Sequence, residues 1–376
     1  MIDPKKFIIF LKKNNINYFT GVPDSILDEF IKQLQNQKTI YHEPTSNEGS
    51  AIALGVGYHL ATGKIPFVYM QNSGLCNAMN PILSLIDEKV FSFPQIILVG
   101  RRGAPGIKDE PQHAKIGPKT IDLLNTLQLK NINLSNQNSE KKINNSIKKA
   151  IKYARQSNKP IFLIINKGFF KNKLITKKDS REVFLKRIKY IEKFILNKKF
   201  KDSIIFSTTG YASRELYYLN ELHNKGHGSS FYNIGAMGHV SQIAFAFKKF
   251  YKNKKSKIII FDGDGSLQMQ MGNILTLGKT NFKILHIVFN NHTHESTGGH
   301  NLASDKINYD LLFKSCGYKK SITIKNLKQF DQELKKKING PQALIIDIKP
   351  GTIKNLPRPV LSPIQLKNLF IKKTLK

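Results

Sequence analysis

Short apolar runs alternate with amphipathic stretches along almost the whole chain. Runs of strand length lie at 18–22, near 40, and at 66–70, 95–99, 160–165, 203–207, 231–234, 258–262, 284–290 and 343–348. Apolar residues recur at helical spacing over 26–34, 51–61, 240–250, 311–316 and 327–338. This alternation predicts an α/β protein with parallel sheets, whose functional loops follow the strands.

Two strand–helix series of similar size predict two doubly wound parallel-sheet domains. The first domain covers 1–170 and the second covers 201–376, and each is long enough to bury a core of its own. Residues 171–200 are rich in lysine and show no strong strand pattern, so we predict a linker that carries a helix.

The most informative polar positions follow two consecutive apolar runs in the second half. Gly263-Asp264-Gly265 ends the run that starts at Ile258, and Asn290-Asn291 ends the next run, one strand–helix–strand unit later. The carboxyl ends of parallel strands share one edge of the sheet, and ligands bind at that edge. A carboxylate and a carboxamide there suit Mg²⁺, which prefers oxygen ligands and commonly keeps a phosphate as co-ligand. The glycines allow the backbone to approach a diphosphate closely.

Charge and cysteine content narrow the class of protein only slightly. The formal net charge is +34, but lysine is spread over the chain, and no zinc spacing, recognition helix or arginine-rich arm accompanies it. We therefore expect no nucleic-acid partner, although a basic protein attracts small polyanions. The two cysteines indicate no disulfide framework. No apolar stretch reaches the length of a membrane span and the N-terminus lacks a cleavage signature, so the sequence predicts a cytoplasmic protein without a membrane partner.

The stretch from Gly263 to Asn291 resembles the cofactor-binding motif of thiamine diphosphate enzymes. Six further blocks resemble the phosphonopyruvate decarboxylase family: Gly-Val-Pro-Asp-Ser at 21–25, Gln-Asn-Ser-Gly-Leu at 71–75, Asp-Glu-Pro-Gln-His at 109–113, Gly-Ala-Met-Gly-His at 235–239, Ser-Thr-Gly-Gly at 296–299 and Arg-Pro-Val-Leu-Ser-Pro at 358–363. These blocks span nearly the whole chain in the order of that family. The resemblance implies the thiamine diphosphate-binding fold, with a pyrimidine-binding domain at 1–170 and a diphosphate-binding domain at 201–376.

The resemblance also implies a set of cofactor and metal contacts. Glu48 matches the glutamate that hydrogen-bonds the pyrimidine ring of the cofactor, and an apolar surrounding holds the proton of such a group near neutral pH. Asp264 and Asn291 bind Mg²⁺ through side-chain oxygens, with the backbone carbonyl of Thr293 as a third ligand. The other implied cofactor contacts are Gly235, Met237, Gly263 and the backbone N–H groups of Gly265 and Ser266. Taken alone, Glu48 also fits a helix-start acid and Met237 a core residue.

Substrate contacts are expected in the loops that follow the strands. Asp24 matches an acid used for proton transfer in related pyruvate decarboxylases, or it caps the next helix. His113 lies in a predicted loop from 100 to 118 that is rich in glycine, proline and charged residues. It either serves a lid, relaying protons or binding an anion, or is a surface histidine. His294 is a further catalytic candidate. The candidates for binding the substrate and its anionic head group are Asn72, Arg102, Lys115 and Arg358, together with His294.

Taken together, these blocks imply decarboxylation of 3-phosphonopyruvate to phosphonoacetaldehyde and CO₂ with thiamine diphosphate and Mg²⁺. A sulfopyruvate decarboxylase, a carboligase acting on a related 2-oxo acid and a non-enzymatic basic binding protein stay open as alternatives. Intact Glu48, Asp264 and Asn291 argue against the last of these. Because the two domains of one chain normally serve different sites in this family, the resemblance also implies a homo-oligomer with active sites between subunits.

Overall fold

The computed structural model describes residues 1–171, 184–253 and 255–375. They form two compact units, of which the first contains 1–171 and 300–303 and the second contains the other described residues. The first unit has helices α1 (Pro4–Lys13), α2 (Asp28–Gln35), α3 (Glu48–Thr62), α4 (Asn72–Pro81), α5 (Ile116–Thr126) and α6 (Glu140–Ser157). Its strands are β1 (Tyr18–Gly21), β2 (Tyr41–Pro44), β3 (Phe67–Gln71), β4 (Ile96–Arg101), β5 (Asn131–Leu134) and β6 (Ile161–Asn166). It also contains the π-helix Ile82–Ile86 and the 3-10 helix Pro111–His113.

The second unit contains helices α7 (Arg187–Ile195), α8 (Tyr211–Leu222), α9 (Val240–Phe250), α10 (Asp264–Met269), α11 (Asn273–Gly278), α12 (Tyr309–Ser315), α13 (Leu327–Lys335) and α14 (Pro363–Thr374). Its sheet strands are β7 (Ile204–Ser207), β8 (Ser230–Tyr232), β9 (Ile258–Gly263) and β10 (Ile284–Asn290), followed by β13 (Lys320–Ile324) and β14 (Pro341–Asp347). The two-residue strands β11 (Thr293–His294) and β12 (His300–Asn301) lie between β10 and β13 along the chain, together with the 3-10 helix Glu295–Thr297; a third 3-10 helix covers Lys198–Phe200.

The first unit is a parallel six-stranded sheet, ordered β2-β1-β3-β4-β6-β5, with helices on both faces. Consecutive residues of its central strands enter opposite cores. Ile96 and Leu98 pack with the apolar side chains of α1, α2 and α6, whereas Ile97 and Val99 pack with those of α3 and α4. Strands buried on both faces must be apolar at every position, which explains why continuous runs rather than alternating ones mark them in the sequence.

The second unit is a parallel six-stranded sheet ordered β13-β14-β10-β9-β7-β8. Numbered within each unit, both sheets have the same order, in which the first strand lies between the second and the third. Ile259 and Phe261 of β9 enter one core, and Ile258 and Ile260 enter the core on the opposite face. The crevice between the first and third strands, where successive connections diverge, is the ligand-binding position of doubly wound sheets.

The predicted α/β class with doubly wound parallel sheets is confirmed, whereas several predicted boundaries move. Helix α2 begins at Asp28 after the N-cap Leu27, later than the apolar spacing from Ile26 predicted. Strand β8 ends at Tyr232 and helix α13 at Lys335, both earlier than predicted. The predicted loop from 100 to 118 contains the 3-10 helix 111–113 and the start of α5.

Part of the predicted linker 171–200 has a defined structure. Residues 172–183 lie outside the described residues. The remainder includes α7, and its side chains Tyr190, Ile191 and Phe194 lie in a core of the second unit. Within the described parts of the chain, no helix is long and apolar enough to cross a membrane.

Candidate functional site

A cleft in the second unit lies at the carboxyl ends of β7, β9 and β10. Eight residues that the sequence singled out line it together: Met237, Gly263, Asp264, Gly265, Ser266, Asn291, Thr293 and His294. Side chains that the sequence did not single out complete the lining, among them Arg187, Thr208, Tyr211 and Glu295. The cleft therefore sits at the crevice position that the strand order predicts.

Asp264 is buried at the start of α10, and its carboxylate closes the loop after β9 onto the loop after β10. Oδ2 accepts the backbone N–H groups of Asn291 at 3.1 Å and His292 at 2.6 Å. Oδ1 accepts the N–H of Gly265 at 2.9 Å, so this predicted diphosphate donor is already bonded within its own loop. Burial raises the pKa of Asp264 to about 7 despite these three bonds. The charge of Arg187 opposes this shift only in part, so a bound cation would stabilise the ionised carboxylate further.

Three lining residues carry oxygen donors of different kinds: Asp264 a carboxylate, Asn291 a side-chain amide oxygen and Thr293 a backbone carbonyl. The amide oxygen of Asn291 accepts the N–H of Thr293 at 3.1 Å, and its Nδ2 donates to Oε2 of Glu295 at 2.9 Å. Among the described residues no three His, Cys, Asp or Glu side chains gather as a metal site. The donors present thus fit a hard divalent ion that completes its shell with phosphate and water rather than zinc.

The loop that carries Met237 is tied to α10 by hydroxyl groups. The Oγ atom of Ser266 lies 2.8 Å from Oγ1 of Thr208, and it accepts the backbone N–H of Gly238 at 3.1 Å. Gly238 has a φ of +90°, and a Cβ atom there would lie 2.8 Å from the Cβ of Gln270. Among the described residues, apart from its chain neighbours, no atom lies within 4 Å of the place where a Cβ of Gly263 would be, so the backbone is open to a bulky ligand. These features fit a diphosphate group.

In the first unit, Glu48 opens α3 and is only 5% exposed. Its Oε2 accepts the side-chain N–H of Asn77 at 3.0 Å. Burial raises the pKa of Glu48, and the bond from Asn77 opposes that shift only in part. Gly74 packs against the carboxyl group so closely that a Cβ there would lie 2.2 Å from Oε1. Glu48 therefore has the buried, closely packed environment and the raised pKa that carboxyl groups at functional sites commonly show.

Asp24 is fully buried after β1, and burial raises its pKa to about 6. Oδ1 accepts Nε2 of Gln71 at 2.5 Å and Oδ2 accepts the N–H of Ile26 at 3.2 Å. The capping alternative is wrong, because the N-cap of α2 is Leu27. Asp24 instead bonds its own turn, which leaves the proton-transfer role as the open prediction.

Two predicted substrate residues are engaged within the first unit. The guanidinium of Arg102 makes an ion pair with Asp109 and donates from Nη1 to Oγ of Ser25 at 2.9 Å. Asn72 bonds both backbone groups of Arg102, through Nδ2 at 2.9 Å and Oδ1 at 3.1 Å. These two residues thus hold the 100–118 segment in place.

His113 is only 6% exposed, so the surface alternative is wrong. Burial and, next, the charge of Arg102 lower its pKa. Within the described chain its Nδ1 has no hydrogen-bond partner. A buried imidazole with such a nitrogen is suited to bind a ligand or move a proton.

Three more predicted residues are not among those that line the cleft: Lys115, Arg358 and Gly235. Lys115, in the first unit, and Arg358, in the second, are exposed. Gly235, two residues before Met237, does not line the cleft, and its backbone N–H donates to Oδ1 of Asn233 at 3.4 Å.

The sequence reasoning missed Thr208, Arg187, Glu215 and Glu295. Thr208 follows β7 directly, so the rule that located Asp264 after β9 also applies to it. Glu295 lies four residues after Asn291 in the same loop. Arg187 and Glu215 carry no local signal, because Arg187 lies in a lysine-rich stretch and Glu215 within a helix.

Comparison with known proteins gives two family matches and several relatives. Residues 5–125 match the model of the thiamine pyrophosphate enzyme N-terminal TPP binding domain, and residues 209–348 match that of the C-terminal TPP binding domain. The chain is 26% identical to the phosphonopyruvate decarboxylase of Streptomyces viridochromogenes, over 98% of this chain and 94% of that protein.

Two further relatives come from Methanocaldococcus jannaschii. The chain is 33% identical to its sulfopyruvate decarboxylase subunit beta, over 44% of this chain and 85% of that subunit. It is 36% identical to its sulfopyruvate decarboxylase subunit alpha, over 25% of this chain and 53% of that subunit.

Proposed function

Because the chain belongs to the thiamine pyrophosphate-dependent decarboxylases, we propose that it removes CO₂ from 3-phosphonopyruvate to form phosphonoacetaldehyde, within phosphonate biosynthesis. A proton takes the place of the carboxylate that leaves as CO₂. The observation that carries the choice of substrate is the extent of similarity, which reaches 98% of the chain for a phosphonopyruvate decarboxylase. Each sulfopyruvate decarboxylase subunit matches less than half of the chain.

Thiamine diphosphate, when bound, supplies the electron sink for the bonding pair that the departing CO₂ leaves behind. We assign Glu48 to the pyrimidine ring of the cofactor, where a buried carboxyl with a raised pKa holds and returns a proton. Asp264, Asn291 and Thr293 would hold Mg²⁺, which would supply positive charge for the diphosphate. Ser266 and Gly263 lie beside the diphosphate, and Met237 and Gly235 lie beside the organic part of the cofactor.

The substrate carries an anionic group at each end, and neutral or cationic side chains would bind them. Burial raises the pKa of Asp24 to about 6 and lowers the pKa of His113, and we assign both groups to proton transfer. His294 faces the cofactor cleft. Lys115 and Arg358 are the cationic candidates for the phosphonate, whereas Arg102 and Asn72 act by holding the 100–118 segment.

We propose a homo-oligomer in the cytoplasm, with active sites between subunits. After Glu48, helix α3 contains no charged residue, and α4 with the π-helix Ile82–Ile86 contains none at all. Leu54, Leu60 and Leu83 are exposed on these helices. In a chain with 60 Lys and Arg residues, an uncharged apolar face of this kind supports contact with a second copy.

The test is incubation of the purified protein with thiamine diphosphate, Mg²⁺ and either 3-phosphonopyruvate or sulfopyruvate, with CO₂ and the aldehyde product measured separately. We expect phosphonopyruvate to have a kcat/KM at least about tenfold higher, because a nearly doubly charged phosphonate gains more from cationic groups than a sulfonate does. A preference for sulfopyruvate would replace the substrate assignment. If the protein consumes neither acid by itself but consumes one when an aldehyde acceptor is added, it is a carboligase.

A further inference from the structure

Three ion-paired side chains, Glu215, Arg187 and Glu295, connect the interior of the second unit to Asn291 in the cleft. Arg187, 6% exposed, donates from Nε to Oε2 of Glu215 at 2.8 Å and from Nη1 to Oε2 of Glu295 at 3.0 Å. Glu215 is fully buried. Although burial opposes it, the two carboxylates raise the pKa of Arg187, so the cation is permanent.

Both oxygens of Glu295 act as acceptors. Oε2 accepts from Arg187 and from Nδ2 of Asn291, and Oε1 accepts the backbone N–H of Gly351. Every neighbour that approaches this carboxyl group is therefore a donor. A carboxylate satisfies all of them, whereas an amide offers only one oxygen for two acceptor positions.

This arrangement determines the orientation of the Asn291 side-chain amide, that is, the positions of its oxygen and its nitrogen. Its oxygen and nitrogen have nearly the same shape, so packing alone does not distinguish the two orientations. Glu295, which only accepts, fixes the NH₂ group at one end, and the backbone N–H of Thr293 donates to the amide oxygen at the other end. Only the oxygen can bind a hard cation.

We propose that Glu295, held by Arg187 and Glu215, is a positioning residue that fixes the amide of Asn291 with its oxygen toward the cation site. This inference rests on the proposed function, because it takes Asn291 as a ligand of Mg²⁺. Glu295 itself does not bind the ion. It contributes to affinity by removing the alternative orientation, as residues behind metal ligands commonly do.

The test is calorimetric titration of Mg²⁺ into protein saturated with thiamine diphosphate, which needs no turnover. We expect Glu295→Gln to raise the Kd for Mg²⁺ by about 10–100-fold. The matched control is Glu333→Gln, because Glu333 is also buried and ion-paired to Lys320 and Lys336 within the same unit but lies outside the cleft. Its Kd should equal that of the wild type. Glu295→Asp, which keeps the charge but shortens the side chain, serves if the glutamine variant does not fold, and should weaken binding to a similar degree.

A second measurement separates positioning from a general structural role. Asn291→Asp replaces the amide with a group whose two ends are both oxygens and which is repelled by Glu295. In that background Glu295→Gln should lower the Kd for Mg²⁺, the opposite of its effect beside the native asparagine. A merely destabilising substitution would weaken binding in both backgrounds, and that result would overturn the inference.

The outcomes also distinguish this inference from the proposed function. If the wild type does not bind Mg²⁺ with thiamine diphosphate, the proposed cofactor assignment itself fails. If the wild type binds Mg²⁺ and Glu295→Gln binds it equally well, only the positioning role is wrong.

Discussion

A single methyl group placed at Gly74 should displace the carboxyl group of Glu48. A Cβ at this position would lie 2.2 Å from Oε1, and 2.6 Å from both Cδ and Cγ, of Glu48. Ordinary contact begins at 3.4 Å, so the carboxyl group must retreat by about 1.2 Å. A misplacement of about 1 Å costs roughly 100-fold in rate, or about 2.7 kcal/mol in the activation barrier. We therefore expect Gly74→Ala to lower kcat about 100-fold.

The same substitution should not weaken the fold by a comparable amount. Gly74 lies in the first turn of α4, and alanine is favoured over glycine in helices by about 1 kcal/mol, which offsets part of the strain. Gly272→Ala, at the N-cap of α11, is the matched control, because the backbone there is in the αR region and no neighbouring atom among the described residues lies within 4 Å of the added Cβ. It should keep the wild-type kcat.

The assay is the steady-state rate of CO₂ release with saturating thiamine diphosphate and Mg²⁺, together with the melting temperature of each variant. Glu48→Gln is the companion variant. It should abolish turnover without loss of stability, because burial raises the pKa of Glu48 and the neutral amide avoids the cost of a buried charge. A Gly74→Ala or Glu48→Gln variant with wild-type kcat would refute the assignment of Glu48.

Three further variants test other parts of the proposal. Burial raises the pKa of Asp24 from 3.8 to about 6, so the ionisation of Asp24 makes the folded state less stable as the pH rises from about 4 to 6. In urea titrations at pH 8, Asp24→Asn should therefore gain up to about 3 kcal/mol of unfolding free energy. At pH 4 it should gain none. An equal effect at both pH values would contradict this. Asp264→Asn should raise the Kd for Mg²⁺ by more than about 100-fold, since it removes the only carboxylate among the proposed ligands; unchanged calorimetric binding would exclude Asp264 as a ligand. Leu60→Lys, on the uncharged face of α3, should dissociate the oligomer, as measured by sedimentation velocity. The control Leu222→Lys changes another exposed leucine, on α8, and should leave the oligomer intact.

The cleft of the second unit could be predicted from the sequence because its ligands follow the strands directly. Asp264 comes at the end of β9 and Asn291 at the end of β10, and both strands are apolar at nearly every position. Topology then brings the two side chains to one edge of the sheet. Arg187 reaches the same edge from a helix far away in sequence, and no local pattern specifies that approach.

Elements with weak local signals were missed. Helix α4 begins with Asn72-Ser73-Gly74 and includes Pro81, all typical of loops, and it is held by the burial of Leu75 and Ala78. Asp24 shows a different limit. The residue types that cap helices are the same ones that bond the backbone two residues ahead, so the sequence could not distinguish the bond to Ile26 from a cap.

The repeated strand order has a consequence for how such a protein can be encoded. Each six-stranded sheet is completed by strands from one continuous half of the chain: β1–β6 before residue 172, and β7–β10 with β13 and β14 after residue 183. A gene break between the halves would therefore separate no pair of neighbouring strands within either sheet. One ancestral sheet, duplicated, could supply both halves, and the two could be inherited as one polypeptide or as two separately translated subunits.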